Sequence, residues 1–254
     1  MWRKDCATET RWPKFFLLPR LPTLRAQALR AGPNVKNKLT KILKKQGIIL
    51  AKKEYDLDLL IFLLTAKGIV KIKAKSILKP KAKLRSIAET FDFVSFELIQ
   101  GKNQFVLVGG KLIRRPMFLR KNLEKTLLLK AIAEITLAIV RDLETKKIYL
   151  LWLYILRALK NLKEKNLLAF LSFCLIHLVA IEGLINPYSA RGGSASGRKE
   201  KDLIKELYTV PFSILQKKFY RDDDYKKIIL NLRESLASER KQFKTIDLFL
   251  KNIN

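Results

Sequence analysis

Residues 59–75 read LLIFLLTAKGIVKIKAK, and this stretch decides the fold. Leu59 to Leu64 is a continuous apolar run, short enough for a buried strand. Thr65-Ala-Lys-Gly68 is a turn signal. From Ile69 to Lys75 the pattern has strict period 2, with Val70, Ile72 and Ala74 on one face and Lys71, Lys73 and Lys75 on the other. That alternation marks a strand with one buried and one solvated side. Two strands across a tight turn make a hairpin, and a hairpin needs further strands to bury its apolar face.

Those strands lie on either side. Gly47-Ile-Ile-Leu-Ala51 is apolar and β-branched. Phe91 to Leu98 reads as another strand, Gly101-Lys-Asn103 as a turn, and Gln104 to Val108 as the return strand. Five short strands in about 70 residues fit a small barrel, and the OB-fold matches that size. From about residue 118 the period changes to 3.6. Leu127, Leu128, Ala131, Ile132, Ile135, Ala138 and Ile139 recur at helical spacing within 122–144. Tyr225, Ile228, Ile229, Leu232 and Leu236 do so within 223–237, and Phe243, Ile246 and Leu250 near the end. Such spacing lines one face of an amphipathic helix. The expected fold class is therefore α+β: a five-stranded OB-fold barrel over 46–116, then an all-helical domain over 117–254. A glycine- and serine-rich stretch within 188–198 reads as a flexible loop.

Residues 1–45 form a third region. They hold Pro13, Pro19, Pro22 and Pro33, five arginines (Arg3, Arg11, Arg20, Arg25, Arg30) and two acids, Asp5 and Glu9. Prolines at this density break any regular period. The segment reads as a disordered basic arm, with an Arg-rich transit peptide or a translation start placed too far upstream as alternatives. Its apolar run Phe15–Leu18 is too short for a signal-peptide core.

Composition narrows the function. The 254 residues carry 52 Lys+Arg against 23 Asp+Glu, a net charge of +29, with 48% hydrophobic residues. The chain can build a core, and its partner is expected to be a polyanion: nucleic acid or an anionic membrane face. One His (His177) and two Cys (Cys6, Cys174) cannot supply a Cys₂His₂ or Cys₄ zinc site. His177 lies in the apolar run Phe170–Ile181 and reads as a core residue rather than a catalytic base. No P-loop or GxGxxG pattern occurs, and Gly109-Gly-Lys111 lacks the flanking residues of one. Neither a metal nor a cofactor is expected.

Between Lys67 and Arg85 there are eight cations and no acid in nineteen residues. Lys71, Lys73 and Lys75 share a strand face, and beyond Pro80 the residues Lys81, Lys83 and Arg85 alternate again. Such a stripe holds phosphates and releases counterions. Lys52, Lys53, Lys102, Arg114 and Arg115 are placed to extend it. Phosphate contacts carry no base sequence, and Phe91, Phe93 and Phe96 read as core rather than as stacking residues. The acids have structural readings: Asp56 and Asp58 flank a turn, and Asp222-Asp-Asp224 caps a helix N-terminus. With no larger carboxylate cluster, the chain is read as a non-enzyme. Asn166–Ile181 falls short of the ~20 residues of a spanning helix, so it and Ile148–Leu156 read as buried bundle helices. A membrane-surface protein held by the apolar helices of 148–184 is the alternative, as is a general RNA- or DNA-binding OB module.

Read in order, residues 47–91 resemble the N-terminal domain of the bacterial recombination-mediator family RecO. The match runs through Ile49-Leu50, Lys53-Glu-Tyr-Asp56, Leu64-Thr65, Gly68, Ala74-Lys75, the basic loop Lys79–Arg85 and Thr90-Phe91. Phe170 to Pro187, ending Glu-Gly-Leu-Ile-Asn-Pro, is similar to that family's helix and Pro step, and Phe243–Leu250 to its closing helix. Ser76 stands where the family has Gly, and residues 188–198 hold no Cys where many members carry a Cys₄ zinc module. The resemblance is thus to a zinc-less variant. It implies an OB-fold followed by a helical domain, binding of single- and double-stranded DNA, and annealing of complementary strands. It further implies RecR and the acidic, Phe-ended tail of single-strand DNA-binding protein as partners, help in loading recombinase, and a cytoplasmic, nucleoid-associated location without a membrane partner.

Overall fold

The hairpin read from the sequence is present. Strand β2 (Asp58–Thr65) turns at Ala66-Lys67 into β3 (Gly68–Ala74). Thr65 Oγ1 donates to the Gly68 carbonyl at 2.8 Å and accepts from the Lys67 amide at 3.2 Å. Gly68 has φ 134°, a region open to glycine and costly for other residues. Across the pair, Leu59, Leu63 and Leu64 face Ala74, Val70 and Ile69 in register. The computed structural model describes residues 41–80, 82–102, 104–140, 145–184, 195–210, 212, 221–237 and 244–252. Of the arm read at residues 1–45, residues 1–40 lie outside them and 43–45 are strand; Lys81 also lies outside.

Three further strands close the sheet. β1 (Leu43–Tyr55) is long because it serves two neighbours. Its first half pairs with β4 (Phe93–Gln100), its second half with β2, with an irregularity between Ile49 and Ala51. Gly47 sits where β1 changes partner: a Cβ there would collide with the Leu64 carbonyl oxygen. β4 pairs with β5 (Phe105–Arg114), and β5 meets β3 in parallel at Ile72↔Phe105 and Lys73↔Val106. The order β1-β2-β3-β5-β4 closes a barrel, the strand order of an OB-fold. Ile49, Ile61, Leu63, Ile72, Val94, Phe96 and Leu98 fill its interior.

The strand limits differ from the sequence reading: β1 runs beyond Gly47–Ala51 at both ends, and the other strands shift as well. β4 starts at Phe93 rather than Phe91, β5 continues to Arg114, and β3 ends at Ala74, leaving Lys75 in a turn. Phe91 leaves the strand with φ 69°, a left-handed conformation that costs a bulky residue about 1–3 kcal/mol. Its amide is held by the Ile49 carbonyl at 2.7 Å.

Six helices follow among the described residues: α1 (Leu123–Ile139), α2 (Thr145–Lys160), α3 (Leu167–Ile181), α4 (Ala195–Thr209), α5 (Asp222–Ala237) and α6 (Lys244–Asn252). Asn122 caps α1 by accepting from the Lys125 amide. Glu134 of α1 accepts from the Thr245 amide at the start of α6. Helix α5 starts at Asp222 rather than near Tyr225, so Asp222, Asp223 and Asp224 lie in its first turn, where they complement its dipole. Residues 195–198 open α4 instead of forming loop; 188–194 lie outside the described residues.

Helix α3 is the hub, packed against α1, α2, α4 and α5. Glu164–Ile181 has the length and hydropathy of a membrane span, yet 67% of it is buried inside the fold. His177 is a core residue: its Nδ1 lies 2.9 Å from the Phe173 carbonyl, and burial lowers its pKa to about 4. Burial likewise pushes the Cys174 thiol up. The helical core continues onto the outer wall of the barrel, through Ile48, Leu50, Leu64 and Phe91. There Phe91 stacks on Trp152 at 6.1 Å between ring centroids. The Trp152 indole donates to Thr136 Oγ1 at 3.1 Å.

Replacing Trp152, fully buried, by Ala should cost about 3–5 kcal/mol. In urea unfolding, the W152A/F91A double-mutant cycle should show a coupling of about 0.5–1.5 kcal/mol. Additive losses would mean that barrel and helices are not joined through this stack.

Candidate nucleic-acid interface

The outer side of β1–β2–β3 is divided along its length. Near the β2–β3 turn, Leu64 and Ile69 lie against the helical core. At the other end, register places Lys53, Leu60 and Lys73 in one row, and Ala51, Phe62 and Lys71 in the next. With strands about 4.8 Å apart, Lys53 and Lys73 straddle Leu60 at roughly 10 Å. Lys71 and Lys73 thus face outward as the alternation predicted, and the strand's inward face is apolar. Lys53 places its ammonium 5.0 Å from the ring centre of Tyr55, a cation–π distance.

Residues 75–92 cap the mouth of the barrel. Lys79–Arg85 read as a basic loop from the sequence, and the described residues of the segment form a succession of turns ending in the 3₁₀ turn Arg85–Ile87. The Lys79, Ala82 and Arg85 amides donate to the carbonyls of Ser76, Lys79 and Ala82, three residues back in each case. This geometry turns Ile77, Leu78, Leu84, Ile87 and Ala88 onto the barrel core. Lys75, Lys79, Lys83 and Arg85 are left exposed. The cations are therefore carried outward on apolar feet.

Two clamps hold this loop. At its start, Asp58 Oδ1 accepts from the Ser76 amide at 2.8 Å, and Oδ2 pairs with Lys73 Nζ at 3.0 Å. The Ser76 hydrogen bond first, and Lys73 second, hold the Asp58 carboxyl below its ordinary pKa. The Leu78 amide also donates to the Leu57 carbonyl at 3.2 Å. At its end, Arg115 grips Asp92, which is 1% exposed, through Nε and a terminal nitrogen, and donates to the Ser86 carbonyl. The Asp92 hydrogen bond holds the Arg115 pKa above its ordinary value.

Five of the residues offered for the groove have other surroundings than the sequence suggested. Arg115 is bound to the Asp92 carboxylate and the Ser86 carbonyl. Lys52 pairs with Glu89 at 3.0 Å. Lys73 is partly neutralised by Asp58, so the stripe is not free of acids once folded. Lys102 and Arg114 are exposed but stand at opposite ends of the ten-residue β5, roughly 30 Å apart along the strand. What remains together is Lys53, Lys71 and Lys73 on the strand face, with Lys75, Lys79, Lys83 and Arg85 on the loop. Among the described residues, none of Lys71, Lys75, Lys79, Lys83 and Arg85 has an acid at ion-pair distance, and no cluster of three His, Cys, Asp or Glu side chains forms.

No family model and no curated protein matches the chain. Two solved structures of asparaginyl-tRNA synthetase from Pyrococcus horikoshii, one complexed with asparaginyl-adenylate, have a TM-score of 0.25 to it, at 11% and 9% identity. Each is matched over 39% of this chain, and the match spans only 30% and 31% of the synthetase chains.

The organiser that sequence reading missed is Asp58. Its signal was present: an acid one turn from the tip, at the strand position opposite the end of the lysine run. Chemically, the described residues of this surface offer ammonium and guanidinium groups on a base held by the two clamps.

Replacing Lys71, Lys75, Lys79 and Lys83 together by Ala should flatten the log–log salt dependence of oligonucleotide binding by about 3. An unchanged slope would place the phosphate contacts elsewhere. R115A should leave that slope intact while destabilising the fold by about 3–5 kcal/mol, because Asp92 is left buried and unpaired. Asp58, with its folded pKa below 3.8, adds stability above that value and loses it as pH falls through the lowered one. D58N should therefore remove part of the acid-side slope of stability against pH in thermal melts.

Proposed function

We propose that this chain is a non-enzymatic nucleic-acid-binding protein. The observation that carries this is the set Lys71, Lys75, Lys79, Lys83 and Arg85: unpaired among the described residues and held at one end of an OB barrel. A surface of this kind binds the phosphate backbone by counterion release and without base sequence. The total charge of +29 favours the same partner.

The finer reading is a RecO-like recombination mediator, a zinc-less one. An OB barrel followed by helices is the architecture that the resemblance implies, and the observed fold agrees with that order. In this role the protein binds single- and double-stranded DNA and anneals complementary strands. Annealing follows physically: two polyanions held on one cationic surface repel each other less. RecR and the acidic tail of single-strand DNA-binding protein are its partners, recombinase loading is the outcome, and the cytoplasm is the location.

The test is annealing of complementary DNA strands coated with single-strand DNA-binding protein, using the full chain. The expected result is annealing that depends on the binding protein's acidic tail. Annealing of naked strands alone would leave a general nucleic-acid-binding protein and remove the mediator role. Failure to bind DNA at moderate salt, with binding to anionic vesicles, would replace the whole reading by attachment to a membrane surface.

A further inference from the structure

Tyr55 is the one exposed aromatic side chain among the described residues, at 50% exposure. Every other described Phe, Tyr and Trp is buried or half-buried. An aromatic ring left in water has either no role or a partner that is absent. Its location argues for a partner. Tyr55 ends β1, and register sets it opposite Asp58. Asp58 in turn binds Lys73 and the Ser76 amide. The ring therefore stands at the strand end from which the basic loop departs. Lys53 contacts it from one side, and Leu57, 43% exposed, lies two residues on.

The turn beneath the ring has a tip of two residues, Asp56 and Leu57. Asp56 takes φ 52°, a left-handed value that Asp tolerates. The Leu57 carbonyl accepts from Leu78 and the Asp58 carboxylate from Ser76, so the turn and the loop fix each other. A planar ring is thus held beside cations on a turn that two hydrogen bonds tie to the basic loop. Every nucleobase has a face that stacks on such a ring, but in a duplex those faces are already stacked on one another.

We infer that Tyr55 is a base-stacking platform, and that single-stranded nucleic acid is the preferred ligand of this surface. One base stacks on Tyr55 and Leu57, while Lys53, Lys75 and Lys79 hold the adjoining phosphates. The inference rests on the nucleic-acid reading above and adds to it a strand preference and a residue.

The test compares wild type, Y55A and Y55F in fluorescence anisotropy with three probes: labelled oligothymidylate, an abasic strand of the same length, and a duplex. Y55A should weaken oligothymidylate binding by about 5- to 100-fold with the salt slope unchanged. Y55F should bind as wild type does. The abasic strand and the duplex should not distinguish the variants. Equal affinity of wild type and Y55A for oligothymidylate would overturn the stacking role while leaving the phosphate surface standing. Equal losses on the abasic strand would also overturn it. A wild-type protein that binds none of the three probes would sink the nucleic-acid reading itself. Oligouridylate in place of oligothymidylate separates RNA from DNA as the strand's source. Because Tyr55 is exposed, thermal melts of Y55A should match wild type, which keeps folding out of the comparison.

Discussion

The junction at Phe91 and Asp92 is the constraint on which the other parts depend. Two successive side chains leave the backbone in opposite directions. Phe91 turns out of the barrel onto Trp152, and Asp92 turns in to meet Arg115. A left-handed backbone at Phe91 makes this possible, and such a conformation persists only where its surroundings fix it. Here they do, because the Ile49 carbonyl and amide bind Phe91 and Asp92 in turn. One point thereby joins the entry to β4, the exit from β5, the end of the basic loop and the helical core. Burying a carboxylate as deeply as Asp92 is tolerable only with a partner of matched geometry, and the forked guanidinium of Arg115 supplies it.

That junction explains how a loop so rich in like charge stays ordered. Repulsion between exposed lysines is weakened by water and salt, and falls away beyond about 8 Å in physiological salt. Against it stands the burial of Ile77 and Ala88 and the packing of Leu78, Leu84 and Ile87 on the barrel core. Each buried aliphatic side chain contributes on the order of 1.5–3 kcal/mol. The apolar feet outweigh the charge repulsion, and the clamps at Asp58 and Arg115 decide where the charges point.

Much of this was legible in the sequence. The period-2 pattern of Ile69–Lys75 and the turn at Thr65–Gly68 set the hairpin, and the change to period 3.6 near residue 118 set the helices. Those signals are local, so a local reading found them. The conformation of the basic loop could not be read the same way, since its turns are closed by backbone hydrogen bonds that a pattern of charges does not contain. The partners of Lys52, Lys73 and Arg115 lie 37, 15 and 23 residues away along the chain, and only closure of the barrel brings them together. Phe91 counted as a strand residue because Phe-Asp-Phe-Val-Ser-Phe satisfies strand propensity throughout. Its left-handed conformation is imposed by tertiary hydrogen bonds, which propensity does not contain.

The acids of the barrel show why the positive charge is concentrated. Residues 41–121 contain Glu54, Asp56, Asp58, Glu89, Asp92 and Glu97. Four of the six are in ion pairs: Asp58 with Lys73, Glu89 with Lys52, Asp92 with Arg115 and Glu97 with Lys44. Each such pair neutralises a cation at a joint of the fold: a loop start, a loop end or a strand pair. None reaches the exposed crest at Lys79, Lys83 and Arg85. The fold therefore uses its few acids where the backbone must be held, and the cations left over accumulate where the backbone is already held by apolar contacts. The helices cover the wall near the β2–β3 turn, while Lys71, Lys75, Lys79, Lys83 and Arg85 stay exposed.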